Sequence, residues 1–264
     1  MATKPSLPDD EQPLDAATVD LLLSNIGTDM ILVGGQALAF WMDRFGVDAD
    51  GAAISNDGDA LGELATARAL AAAISARLVV PRKTARTSVV AQLRLPAAGG
   101  KERNIDVLHL LYTVSGLRKS SDFTRQVVRD SIEVEWRNGT FFRVMDPFDV
   151  LESRAQNAVG LYDDKGPHVV TQVKWAIEVA KAALRRLAGD PASTARLGSK
   201  VQRIHTLARS QVGRRLWSEH RIELLAAIDI DAVEVAAPRL SRQLDAIRTT
   251  VSDRRVAGRK PSPR

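Results

Sequence analysis

Two textures of apolar patterning divide the chain near residue 147. Before that point short apolar runs alternate with helical stretches. Residues 15–26, with Leu21, Leu22, Leu23 and Ile26, predict a short helix, and the compact run 30–33 ending at Gly34-Gly35 predicts a buried strand. A helix is expected from residue 36 to about 44, and a strand around 53–59. The alanine-rich segment 61–76 has strong helix propensity. The stretches 77–80, 87–95, 104–111, 131–136 and 140–144 are β-branched and apolar. Pro81, Pro96, Gly99-Gly100 and Asn138-Gly139 punctuate them, the last pair being a good hairpin turn because both residues tolerate positive φ.

After Asp146-Pro147 strand alternation stops. Residues 148–159, 169–187, 195–211, 214–228 and 238–251 carry helix formers, broken at Gly160, Gly166-Pro167, Gly189-Asp190-Pro191 and Gly213. The expected architecture is therefore α/β (α+β), a mixed sheet flanked by helices and followed by a helical domain. Its expected divisions are a flexible N-terminus at 1–13, an α/β lobe at 14–147, helices at 148–251 and a basic disordered tail at 252–264.

Composition narrows the chemistry. The 264 residues are 45% apolar and 26% charged, an ordinary globular balance, and contain no cysteine. Disulfides, thiolate zinc sites and cysteine nucleophiles are thereby excluded. The polar, acidic opening segment and the lack of an apolar run near 20 residues lead us to expect a cytoplasmic protein with neither signal peptide nor membrane anchor. Residues 148–264 hold 21 Lys and Arg against 13 Asp and Glu, whereas 1–147 hold 16 against 19. An acidic lobe joined to a basic one suggests carboxylate chemistry in the first and contact with a polyanion in the second, although solvated helix faces also account for the charge.

The informative residues are Ile31-Leu32-Val33-Gly34-Gly35-Gln36-Ala37-Leu38, then Ser55-Asn56-Asp57-Gly58-Asp59, then Asn104-Ile105-Asp106-Val107-Leu108. If Asp57 and Asp59 share a strand, alternation puts both carboxylates on one face. Asp106 lies in an apolar strand, where a carboxylate is costly unless it faces a cation, a partner or solvent. Three converging carboxylates suit Mg²⁺, which takes hard oxygen ligands and leaves positions for water and phosphates. Gly34-Gly35 reads either as a tight turn or as a place where bare backbone approaches phosphate at a helix N-terminus. His109, His168, His205 and His220 show no metal-ligand spacing, and no P-loop, dinucleotide fingerprint or Ser/His/Asp elbow is present.

This order of elements resembles the polymerase β-like nucleotidyltransferase superfamily, in particular the bacterial abortive-infection and toxin-type members. The resemblance covers residues 28–111, with a looser continuation through Asp146-Pro147 and the helix of Leu151, Arg154 and Asn157. It implies transfer of a nucleoside monophosphate from a nucleoside triphosphate to an acceptor hydroxyl. Asp57, Asp59 and Asp106 would hold Mg²⁺ or Mn²⁺, with nucleotide contacts at Gly34, Gly35 and Ser55. RNA such as a tRNA 3′ end, protein hydroxyls and small molecules are the acceptors it leaves open, and toxin-type relatives imply a cognate antitoxin protein. Gly58 departs from the pattern, since an apolar residue is more usual between the two carboxylates, and the interval from Gly35 to Asp57 is long. A fold that has kept nucleotide or nucleic-acid binding without turnover is the contrasting expectation. Arg82, Lys83 and Arg154 are further candidates for phosphate contact, against an exposed basic loop and an interdomain hydrogen bond. Lys165 reads only as a helix end.

Overall fold

The computed structural model describes residues 11–49, 57–82 and 84–258. Seven strands form one mixed sheet: β1 (Ile31–Val33), β2 (Gly58–Leu61), β3 (Arg77–Val79), β4 (Val89–Pro96), β5 (Glu102–Leu108), β6 (Ile132–Glu135) and β7 (Phe141–Val144). Their order across the sheet is β3-β4-β5-β2-β1-β7-β6. β2 runs parallel to β5, β1 runs parallel to β7, and β1 and β2 are antiparallel. The expected α+β class holds: the sheet is flanked by α1 (Ala16–Asn25), α2 (Gly34–Phe45), α3 (Leu64–Ala73) and α4 (Ser120–Asp130). Beyond them come α5 (Pro147–Gly160), α6 (Tyr162–Lys165), α7 (His168–Ala188), α8 (Thr194–Arg209), α9 (Gln211–His220), α10 (Ile230–Ala236) and α11 (Ser241–Gly258).

Local chemistry starts several of these elements. Asp15 accepts from the backbone N–H of Thr18 and opens α1, and Glu63 with Thr66 makes a reciprocal cap at α3. Asp146 accepts from Phe148 N while Pro147 occupies the first turn of α5, where its missing N–H costs no helical bond. The buried run of β1 lies inside the sheet between β2 and β7, and Leu32, Val33, Leu93, Ile105, Val107 and Phe142 are buried in the core. That core continues without a break into α5 and α7, through residues such as Leu151, Ala155, Val173 and Ala176. Trp41 of α2 donates its indole N–H to Met145 O at 2.7 Å, tying the first helix after β1 to the start of the helical part.

Four expectations change. The strand expected at 53–59 begins only at Gly58 and continues to Leu61, displacing the start of α3 to Leu64; residues 50–56 lie outside the described residues. Helix α4, which the apolar pattern does not announce, occupies a mostly polar segment whose Phe123, Thr124 and Val127 are buried one turn apart. The single helix expected over 214–228 ends at His220, and α10 follows as a separate helix. Finally, α11 runs on to Gly258, into the stretch expected to be a disordered tail, while 259–264 and the expected flexible residues 1–10 lie outside the described residues.

Gly58 has a packing reason. A Cβ there would lie 3.1 Å from Ile105 Cγ1 and 3.2 Å from Leu14 Cδ1, so neighbouring side chains already fill the space an apolar residue would take. A second feature joins the sheet lobe to the helices by charge. Buried Asp149 and Glu152 of α5 pair with Arg203 of α8, Arg118 pairs with Glu152, and Gln126 of α4 donates to Asp149. Lys200 of α8 meets Asp146 at 3.0 Å.

Candidate active site

The site is built on one transverse row of the sheet. Cross-strand pairing aligns Val79, Gln92, Asp106, Asp59 and Val33 in that order across β3, β4, β5, β2 and β1. Asp59 and Asp106 are thus direct neighbours on parallel strands, with their side chains on one face. Their flanking residues Gly58, Ala60, Ile105 and Val107 are buried on the other side, while the two carboxylates remain half-buried. Asp57 sits in the bend before β2 and not on the strand, so it joins the others through the turn and not by alternation. Gln36, in the first turn of α2, donates to Asp57 O at 3.4 Å.

Electrostatics bind the three carboxylates into one group. Burial pushes the Asp59 carboxyl up to about 6, against the opposing pull of Arg154, with Asp106 and Asp57 adding repulsion. Burial also raises Asp57, and Asp106 adds to the shift. Asp106 is raised by burial and partly relieved by a hydrogen bond from Gln92 Nε2 at 2.9 Å. Burial raises all three acids, and repulsion from neighbouring carboxylates adds to the shift at Asp57 and Asp59.

Gly34 closes the row. Its φ is +67°, a conformation that a side chain strains, and an added Cβ would lie only 2.0 Å from Asp59 Oδ2. β1 therefore turns into α2 at the one residue type that lets the Asp59 carboxylate stand against the start of the helix. Gly35 is buried in the first turn of α2.

Three cations complete the surroundings: Arg154, Lys165, and Arg94, which lowers the Asp106 pKa and donates to Gln92. Arg154 of α5 is buried, donates to Gln172 Oε1 and Ser153 Oγ at 3.1 Å each, and opposes the Asp59 charge. Its Nε has no hydrogen-bond partner among the described residues, and neither has the buried Nδ1 of His168. Lys165, at the end of α6 where Gly166 turns with φ +74°, is exposed and lowers the pKa of Asp57, Asp59 and Asp106 alike. Sequence reasoning left Lys165 as a helix end. Only the tight α6 turn after α5 carries it back to the sheet, and no local pattern announces that return.

Arg82 is exposed and follows β3, which one strand separates from β5 and two separate from β2. The cations that act on the three carboxylates are Arg94, Arg154 and Lys165. Ser55 and Lys83 lie outside the described residues.

The donor set fits Mg²⁺ or Mn²⁺ in kind, being oxygen-only and short of positive charge. As the side chains stand, no three acidic or imidazole groups among the described residues are gathered into a metal-ligand cluster, and one oxygen of Asp106 is engaged by Gln92.

The fold is thus a mixed-sheet α+β lobe carrying a carboxylate row, continued by a helical lobe. No protein-family model matches the chain, and no curated protein matches it. The crystal structure of JHP933 from Helicobacter pylori is similar over 89% of this chain and 93% of that one, at 11% identity and a TM-score of 0.36. Among the described residues no helix is long and apolar enough to cross a membrane.

Proposed function

We propose that the protein is a nucleotidyltransferase that moves a nucleoside monophosphate from a nucleoside triphosphate to an acceptor hydroxyl, with RNA as the leading acceptor. The observation that carries this reading is the in-register pairing of Asp59 with Asp106 against Gly34, joined electrostatically by Asp57. Asp57 and Asp59 would hold the divalent cation that carries the triphosphate, and Asp106 would serve the acceptor hydroxyl. When bound, Mg²⁺ supplies charge neutralisation of the triphosphate and of the attacking oxygen.

The chain's own residues divide the remaining work. The backbone entering α2 at Gly34 and Gly35 approaches phosphate closely. Lys165 and Arg154 offset the charge of the triphosphate, and the unpartnered Arg154 Nε and His168 Nδ1 offer hydrogen bonds to the bound nucleotide. Gln92 fixes one oxygen of Asp106, leaving the other to accept the hydroxyl proton. A bond forms between the acceptor oxygen and the α-phosphorus, the α–β bridging P–O bond breaks, and pyrophosphate leaves.

The second reading, a nucleotide- or nucleic-acid-binding module without turnover that acts through a partner, is favoured by the Gln92 contact, which occupies Asp106 where a cation would otherwise draw it. Incubation with each labelled nucleoside triphosphate, Mg²⁺ and total cellular RNA or protein separates the two. Label in a macromolecule with stoichiometric pyrophosphate supports transfer; triphosphate binding with no pyrophosphate release sinks it. An antitoxin partner, expected from the resemblance, is tested by whether co-expression with the neighbouring reading frame relieves growth arrest.

A further inference from the structure

Outside the carboxylate site, the helical lobe carries an open cleft of about 410 Å³ between α8, the start of α9 and α11, lined among the described residues by His205, Arg209, Arg214, Ala246 and Thr250. None of these lining residues bears a carboxylate. His205 and Arg209 are one helical turn apart on α8 and so share a face. Arg214 donates from Nη1 to the Arg209 carbonyl at 2.7 Å, which holds its guanidinium at the mouth while four of its five N–H donors remain for other acceptors. Four arginines elsewhere in the helical part, Arg185, Arg203, Arg215 and Arg248, instead pair with carboxylates. A cleft that gathers two guanidiniums and an imidazole without a counter-charge in its lining has the chemistry of a phosphate receptor.

Its position gives the ligand a source. α9 runs from this cleft, at Arg214, to His220, whose ring lies 4.7 Å from that of Tyr162 at the start of α6. α6 in turn ends at Lys165, beside the three carboxylates. The six residue steps from Arg214 to His220 rise about 9 Å.

We infer that the His205–Arg209–Arg214 cleft binds a backbone phosphate of the acceptor RNA upstream of its reacting 3′ end, anchoring the strand while the end enters the carboxylate site. This rests on the reading of RNA as acceptor. It adds a contact that the catalytic residues do not supply.

The test uses the full chain, without nucleotide, and short single-stranded RNAs followed by fluorescence anisotropy over a salt series. Arg209→Gln/Arg214→Gln should bind an RNA of about a dozen nucleotides roughly tenfold more weakly at low salt, with a salt slope shallower by about 0.7 for the loss of one phosphate contact. Unchanged affinity and slope for this RNA would overturn the inference. So would an NMR shift of His205 with inorganic phosphate but not with RNA, which makes the cleft a small-anion site. Calorimetric binding of nucleoside triphosphate with Mg²⁺ should be equal in both proteins, and equal melting temperatures would exclude misfolding. If the variant loses RNA binding yet wild type transfers no nucleotide to RNA, the cleft stands and the proposed acceptor falls; transfer to RNA with equal binding by both proteins gives the converse.

Discussion

The carboxylate of Asp59 occupies the space that a side chain at Gly34 would need: an added Cβ would lie 2.0 Å from Asp59 Oδ2 and 2.8 Å from Asp59 Cβ. The glycine also turns with φ +67°. Both constraints fall on one residue at the junction of β1 and α2, so the acidic row and the chain reversal are one structural unit.

Gly34→Ala should therefore destabilise the protein by more than the roughly 1 kcal/mol usual for alanine at positive φ, because the collision adds to the strain. Pairing it with Asp59→Gly removes the collision and should restore part of the melting temperature, while transfer stays absent. If the double variant is no more stable than Gly34→Ala alone, the two residues do not compete for this space.

Asp57→Asn and Asp106→Asn should each lower nucleotide transfer by at least about a hundredfold with the fold intact, since they keep size and remove the charge that holds the cation. They should differ in binding. Asp57→Asn and Lys165→Ala should weaken triphosphate binding, whereas Asp106→Asn should retain it, as calorimetric titration beside a transfer assay would record. Wild-type transfer by Asp106→Asn would defeat the proposed role of that residue.

The pH dependence has a definite sign. Asp59 is held up at about 6, and Asp57 and Asp106 are raised as well. A carboxyl with a raised folded-state pKa keeps its proton longer when folded, so its ionisation destabilises the protein as pH rises from the ordinary value of 3.8 through about 6. Divalent cation binding requires the ionised form. The rise in melting temperature on adding Mg²⁺ should accordingly be small at pH 5 and larger at pH 7.5. A stabilisation that does not vary with pH would place the cation elsewhere.

Arg203 spans Asp149 and Glu152, two buried acids of α5, and burial raises Asp149 despite that contact. Arg203→Met should cost about 3–5 kcal/mol near neutral pH, because it strands buried negative charge between α5 and α8. Since protonation relieves the stranded carboxylates, the loss should shrink as pH falls towards 5. Chemical denaturation at the two pH values measures it; an equal loss at both would mean that Arg203 acts through packing of its stem.

Much of the site was legible along the chain because its parts are short and punctuated. β1 ending at Gly34-Gly35, an Asp at 59 before a helix and an Asp at 106 inside an apolar strand are local features. So was the change from strands to helices at Pro147, because period-2 alternation stops there. Only the tertiary structure decided which strands become neighbours. Register sets Asp59 beside Asp106 and places Gln92 on the same row. It also brought in Lys165 and Arg154, whose contribution depends on how α5 and α6 fold back over the sheet. Gly58 shows the difference most plainly. In sequence it weakens a strand; in the folded chain Ile105 and Leu14 occupy the volume beside it. Local propensity and periodicity depend on neighbours a few residues apart, but volume and charge at a site are shared by residues far apart in sequence, and only packing brings those together.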